Sequence, residues 1–362
     1  MTNPEKLRVG VVGVTGLGSL QLVQLLLRCP TLHLSAIADP VHAGSLYSQL
    51  YPRFWNTLDL HVEPVDIGAL VDSCDVVFLA LPEGEATRWV PELLDKGGTA
   101  IDLSADYRLW NLEDYRTWYG GLIPDEGQWP TLRHQQTHQQ AVYGLPELYR
   151  EQLQSARLVA IPGCHATASV LAIAPLLRQG FIDPERIAID AKVGMSATEN
   201  FVADRQGPWV AVENTLRVDS ILQHRQIPEI EQVYSQLAGQ PVIVQFASYL
   251  VPMVRGLLTT VYVTLRDPGL ENDDLLTIYR AYYKQSPWVQ ILPSGTFPQT
   301  KWTAGTNRCS IGLTLDTRTN QLVVVCALDN SIKGQAGQAI QCLNVMQGWP
   351  EILGLPQSSL YL

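Results

Sequence analysis

Short apolar runs alternate with amphipathic stretches through the first 160 residues of the chain. LRVGVV (7–12) is β-branched and apolar until it breaks at Gly13, and LQLVQLLLRC (20–29) then carries helical spacing up to Pro30. LHLSAIA (32–38), CDVVFLALP (74–82) and GTAIDLS (98–104) read as further buried strands, and PELLDKG (91–97) as a helix end with glycine just beyond it. Apolar strands separated by helical patterns predict βαβ units around a parallel sheet.

The second half changes character. IAIDAKVG (187–194), VIVQFASYLVPM (242–253) and LLTTVYVTLR (257–266) are longer strand-like runs, and CSIGLTLDTRTNQLVVVCAL (309–328) reads as a hairpin turning around Asp316 to Asn320. With one clear helix among them, LLTIYRAYYKQ (275–285), they predict a mostly antiparallel sheet with helices on one face. The last helical stretch, from Ser331 to Met346, is rich in small residues and is expected to pack back on the first domain. Two domains follow: 1–160 with 331–362, and 161–330, with a junction where a ligand cleft is expected.

A length of 362 residues agrees with two domains rather than one core. The net charge of −10 argues against a nucleic-acid partner, since no basic face remains to neutralise phosphates. No apolar run reaches membrane-spanning length and the start MTNPEKLRVG lacks a signal-peptide core, so a cytoplasmic protein is expected. Six scattered cysteines without CxxC suit a reduced compartment, and seven histidines without HxxxH or HExxH spacing give a metal site little support.

GVVGVTGLG (10–18) follows a strand and opens a helix, with Gly10, Gly13 and Gly16 forming a GxxGxxG variant of the dinucleotide fingerprint. Such a turn lets the backbone approach a pyrophosphate at a helix N-terminus. Asp39, about 20 residues further on, stands where an acid would favour a ribose 2′-hydroxyl. No arginine for a 2′-phosphate is evident in AIADPVHAGS, so the residues alone lean toward NAD.

IPGCHATASVLAIAPLL (161–177) places Cys164 between a strand and a helix, where the dipole and unpaired N–H groups stabilise a thiolate. The alternative is a small buried thiol beside a βα turn. A cysteine nucleophile needs an acid/base partner, and His224 in QHRQIPEIEQ is the strongest candidate, with Arg225 after it and Glu229 at a helix start. His33 and His61 lie in strand-like runs and His134 and His138 in a glutamine-rich loop; these read as surface or packing residues. His165 points elsewhere around its helix.

CDVVFLALPEG (74–84), IDLSADYRL (101–109), AVYGLPELYR (141–150), PGCHATA (162–168), HRQIPEIEQ (224–232), LVPMVRG (250–256) and DNSIKGQAGQA (329–339), in this order, resemble the N-acetyl-γ-glutamyl-phosphate reductase family over essentially the whole chain. The resemblance implies a Rossmann-type dinucleotide-binding domain and a semialdehyde dehydrogenase-like α+β catalytic domain with a mostly antiparallel sheet. It also implies NADP(H), a small acyl-phosphate substrate and a homodimer or homotetramer. Cys164 would attack the acyl phosphate, His224 would shuttle protons, and Glu229 would orient or balance His224. Gly13, Thr15, Gly16, Leu17, Gly18, Pro82, Gly194, Ser196 and Asn330 would contact cofactor. Arg108, Lys192, Arg225 and Arg255 would hold phosphate or carboxylate groups.

Five places depart from the family pattern. His165 stands where tyrosine is usual, Gln226 replaces a second histidine, and KVGMSATEN (192–200) replaces a glycine- and serine-rich loop. Ser19 takes the place of the third loop glycine, with Arg308 where an apolar residue is usual. The alternatives these changes leave open are an acyl-phosphate reductase for aspartyl or aminoadipyl phosphate, and a low-activity paralogue that binds or regulates.

Overall fold

The computed structural model describes residues 6–14, 16–120, 132–197 and 214–361. The chain divides into two compact units, Met1–Ile161 with Ala339–Gly354, and Pro162–Gln338 with Leu355–Leu362.

The first unit is built on seven parallel strands: β1 (Leu7–Val12), β2 (Leu32–Ala38), β3 (Val62–Glu63), β4 (Val76–Leu79), β5 (Ala100–Asp102), β6 (Ala141–Tyr143) and β7 (Leu158–Ala160), in the order β3-β2-β1-β4-β5-β7-β6. Every pairing is parallel, as the unbroken apolar runs predict. The order reverses between β1 and β4, and ligands of such sheets bind beyond the carboxyl ends of the strands at that point. The helix after β1 runs Leu17–Arg28, ahead of its apolar pattern, because Gly16 is the N-cap. The helix before β5 spans Ala86–Asp95 with Pro91 inside it, and Gly97 follows just beyond its end as expected. Residues 132–139 form a helix where a loop was expected, and His138 on it is buried, its Nε2 donating to the Asp106 carbonyl at 2.8 Å.

The second unit carries β8 (Ile182–Gly194), β9 (Arg217–Ile221), β10 (Gln245–Val251), β11 (Leu257–Leu265), β12 (Val289–Ile291), β13 (Cys309–Asp316) and β14 (Gln321–Leu328), in the order β12-β13-β14-β11-β8-β10-β9. Only the β8/β10 and β12/β13 pairs are parallel. The β13–β14 hairpin turns at Asp316–Asn320 as its pattern predicts.

Helix Cys164–Arg178 is buried along nearly its whole length, so its apolar residues run all round rather than along one stripe. Pro175 inside it donates no N–H, which would strand the Leu171 carbonyl. Tyr283 Oη donates to that carbonyl at 2.6 Å, and Tyr279 and Tyr234 donate to Ala172 O and Ser169 O at the same distance. Three buried phenols thus fix the helix that begins with Cys164. Among the described residues no helix is long and apolar enough to cross a membrane, and no cluster of His, Cys, Asp and Glu could hold a metal ion.

Candidate active site

In the first unit the turn after β1 is shaped for close backbone approach. Gly13 has φ +94° and a Cβ there would lie 2.4 Å from Ala80 O, so a side chain is excluded twice over. Gly16 caps the helix with no side-chain cap, and Leu17 and Gly18 form its first turn without an acidic group. This leaves a glycine cradle at an N-terminus, which fits a pyrophosphate. Ser19 replaces the expected glycine without loss, because its buried Oγ donates to Gly13 O at 2.7 Å. Thr15 lies outside the described residues.

The second wall of the cradle is the turn after β4, where Pro82 is exposed. Asp106 holds this turn, accepting from Gly84 N at 2.7 Å, Ala86 N at 3.0 Å and Tyr115 Oη at 2.7 Å. Burial pushes the Asp106 and Asp102 carboxyls above the usual carboxylate range, with the Asp106 charge adding to the rise at Asp102 and the Glu83 charge to that at Asp106. Arg108 is buried, with Nε on Ile161 O at 2.7 Å and a terminal nitrogen on Leu103 O at 2.9 Å. These bonds hold the strand ends together, a use the phosphate assignment did not foresee.

In the second unit Cys164 opens its helix half-buried, while the other five free cysteines are buried. Gly163, the N-cap, carries no side chain to satisfy the first-turn donors. Two residues from 60 and 66 positions away do so instead. Gln226 Oε1 accepts from Ala166 N at 3.1 Å, and Glu229 Oε1 from Gly163 N at 2.8 Å. A Cβ on residue 163 would meet the Gln226 amide at 2.1 Å, so glycine and glutamine fit as a pair. Glu229 thus braces the start of the cysteine's helix through Oε1.

The carboxylate beside His224 is Asp219 on β9, with Oδ2 3.9 Å from Nε2 and accepting from Ser248 Oγ at 2.8 Å. Gln226 N donates to His224 Nδ1 at 3.1 Å. The imidazole packs edge-on to His165, with ring centres 4.7 Å apart, and against Phe246 at 5.2 Å. His224 thus sits over the first turn of the Cys164 helix. Burial drives its pKa down to about 4, with the Arg225 charge adding to the fall and Asp219 opposing it. Burial and then His224 hold His165 well below the ordinary range.

Gly194, Ser196, Asn330 and Arg255, drawn from three separate motifs, meet in one corner. Asn330 Oδ1 accepts from Gly256 N at 2.8 Å, and its Nδ2 donates to Ser196 Oγ at 2.9 Å. Gly194 N donates to Gly256 O at 2.9 Å, and a Cβ there would strike Met253 O and the Arg255 backbone. Arg255 pairs with buried Asp329 at 3.3 Å, and Asp329 O accepts from Gly334 N at 2.9 Å. Gly334 lies so close that its Cβ would be 2.5 Å from that of Cys164, which links the corner to the thiol.

Lys192 does not join it. Ala191 and Val193 are buried under the helices, so Lys192 projects from the opposite sheet face and pairs with Asp190 at 2.6 Å. Residues 198–200 of the altered loop lie outside the described residues. Asp219 and Gly334 went unread, since neither carries a local signal; the helix-capping use of Gln226 was equally hidden.

Two family models match the chain: the semialdehyde dehydrogenase NAD binding domain over residues 8–156 and the semialdehyde dehydrogenase dimerisation domain over 164–330. The chain is 51% identical over 365 residues to the N-acetyl-gamma-glutamyl-phosphate reductase of Cyanothece sp. (strain PCC 7425), covering 100% of both. It is 51% identical to the same-named protein of Synechocystis sp. over 99% of each chain. Among solved structures, aspartate semialdehyde dehydrogenase II of Vibrio cholerae superposes with a TM-score of 0.70 at 15% identity, over 95% of this chain and 99% of the other. The Candida albicans aspartate semialdehyde dehydrogenase with NADP does so with 0.66 at 15% identity, over 95% and 99%. At such identity the two structures speak for the fold alone.

Proposed function

The chain belongs to the N-acetyl-γ-glutamyl-phosphate reductase family of semialdehyde dehydrogenases, and on that premise we propose that it reduces N-acetyl-γ-glutamyl phosphate to N-acetylglutamate γ-semialdehyde and phosphate, in arginine biosynthesis. The observation that carries the reading is Cys164, half-exposed at a helix start with His224 packed over the same turn.

The Cys164 thiolate attacks the acyl carbon, forming the C–S bond as the C–O bond to phosphate breaks, and leaves a thioester. NADPH, when bound, supplies the hydride that converts the thioester to a thiohemiacetal. The glycine turn at Gly13, Gly16, Leu17 and Gly18, with the turn at Pro82, would hold the cofactor's phosphates. His224 delivers a proton at the substrate oxygen and recovers it as the C–S bond breaks, which releases the semialdehyde and the Cys164 thiolate; with its pKa near 4 it is neutral at pH 7, and Asp219 steadies the charge it takes on. Arg225 and Arg255 serve the substrate's anionic groups. Gly194, Ser196 and Asn330 set the corner behind Cys164.

On this reading the protein works in the cytoplasm as a homodimer or homotetramer assembled through the second unit, whose sequence matches a dimerisation domain, and sedimentation equilibrium measures the state directly. The activity is tested in reverse. N-acetylglutamate γ-semialdehyde, NADP and inorganic phosphate are mixed with wild type and with Cys164→Ala, and NADPH absorbance is followed. Phosphate-dependent turnover lost in the variant supports the reading; an equal rate in both would sink it. Aspartate semialdehyde in the same assay tests the substrate's far end.

A further inference from the structure

The acid at the end of β2 stands where doubly wound proteins distinguish a ribose 2′-hydroxyl from a 2′-phosphate. A carboxylate facing outward there would favour NAD, yet the cofactor of this family is NADP(H). The geometry removes the conflict. Asp39 is 3% exposed and both its oxygens are turned inward. Oδ2 accepts from Val14 N in the glycine turn at 2.9 Å; Oδ1 accepts from Val41 N, His42 N and His42 Nδ1, each at 2.9 Å. Three donors crowd Oδ1 and one holds Oδ2, so both oxygens are engaged by the protein's own backbone and by His42. Burial raises the Asp39 carboxyl and these hydrogen bonds, led by His42, more than reverse it. Buried and engaged at both oxygens, this carboxylate does not present the outward face that an acid reading a ribose hydroxyl would need.

His42 is then the residue that faces outward. Its Nδ1 must carry a hydrogen, because a carboxylate oxygen can only accept. Its side chain is 32% exposed, and Nε2 has no partner among the described residues. The ring is therefore fixed at one edge and open at the other, one hydrogen bond from Asp39 and two from the glycine turn. Its charged partner is Asp39, and the groups linked to that pair are Tyr51 and Arg53 from the segment after β2 and Glu63 from β3. Tyr51 and Arg53 are electrostatically linked to the Asp39 cluster, and the Glu63 carbonyl accepts Asp39 N at 3.0 Å.

We infer that His42, anchored through Nδ1 on Asp39, reads the 2′-phosphate of NADP(H) through Nε2 and sets the preference for the phosphorylated cofactor. This rests on the NADP(H) reading above. A dianionic phosphate draws a proton onto Nε2, making the ring a cation whose charge Asp39 already balances on the other side. Binding of NADPH is thereby linked to proton uptake, and binding of NADH, which lacks the phosphate, is not.

The test is binding alone, by the fluorescence of NADPH and NADH titrated with protein. Wild type is expected to bind NADPH more tightly than NADH, with NADPH affinity falling about tenfold from pH 6 to pH 8.5 and NADH affinity flat. His42→Asn keeps a donor at the Nδ1 position and so keeps the Asp39 anchor, but removes Nε2. It should weaken NADPH at least about tenfold, leave NADH within about twofold, and abolish the pH dependence. Equal weakening of both cofactors would reduce His42 to a brace for the turn and overturn the inference, as would unchanged NADPH binding. A wild type that binds NADH as well as NADPH would instead strike down the cofactor assignment beneath it.

Discussion

Glu229 Oε1 accepts the amide hydrogen of Gly163 at 2.8 Å, one residue before the cysteine thiol and 66 positions away in the chain. The bond makes a buried carboxylate part of the start of the Cys164 helix. Glu229→Ala leaves the Gly163 N–H buried without its acceptor and should cost about 2–3 kcal/mol in urea unfolding. Glu229→Gln retains an acceptor and should cost less. It also removes a negative charge beside the helix start, so the pH midpoint of Cys164 alkylation should move down. An unchanged midpoint would show that this charge does not reach the thiol.

Gly163 and Gln226 should behave as one unit. Gly163→Ala drives a methyl group into the Gln226 amide and is expected to cost about 1–3 kcal/mol. Gln226→Ala removes the acceptor for Ala166 N and is expected to cost about 1 kcal/mol. The double variant should lose less than the sum, because the collision is gone. Strict additivity in the thermodynamic cycle would mean the two do not meet in solution.

His224 shapes stability against pH. Its pKa near 4, below the ordinary 6.5, means the unfolded chain takes up a proton in that window and the folded chain does not. The contribution is full above pH 6.5 and drains away as pH falls toward 4. His224→Asn should therefore flatten the fall in Tm between those values. His165, depressed in the same direction, supplies part of the slope that remains. A variant with the wild-type slope would refute the burial argument.

Asp106 secures the turn that carries Pro82. Asp106→Asn turns a donor toward either Gly84 N or Ala86 N, and the unsatisfied pair should cost about 2–3 kcal/mol in thermal or urea unfolding. NADPH binding should weaken with it while the alkylation rate of Cys164 stays at the wild-type value. A stable variant with normal NADPH affinity would show that the turn holds itself.

Much of this was legible before any coordinates. β1 and β2 match their apolar runs to the residue, because β-branched stretches bounded by Gly13 and Pro30 leave little choice of end. The β13–β14 hairpin was equally plain. The stretch from 105 to 154 was opaque: its helices are polar or aromatic, without apolar periodicity, and their hold on the core runs through contacts such as His138 on Asp106. Of the helix Ala86–Asp95 only the end, PELLDKG, carries a readable signal, and Pro91 lies inside it. Cys164 and His224 could be read from local context. The partners of His224 could not, because Asp219 sits on an exposed strand and no pattern in RVDSI distinguishes it from a solvated residue.

The return of residues 339–354 to the first unit has a bearing on how the protein is made. Gln341 Nε2 donates to Glu147 at 3.0 Å and to Glu351 at 2.7 Å, Arg150 pairs with Glu351, and Cys342 Sγ donates to Gly144 O at 3.3 Å. The nascent chain emerging from the ribosome with residue 161 has none of these partners yet. Its β6 edge and the helix beside it must wait, uncovered, through the synthesis of the entire second unit. Translation order and folding order therefore differ in this protein: the part that emerges first is among the last to be finished.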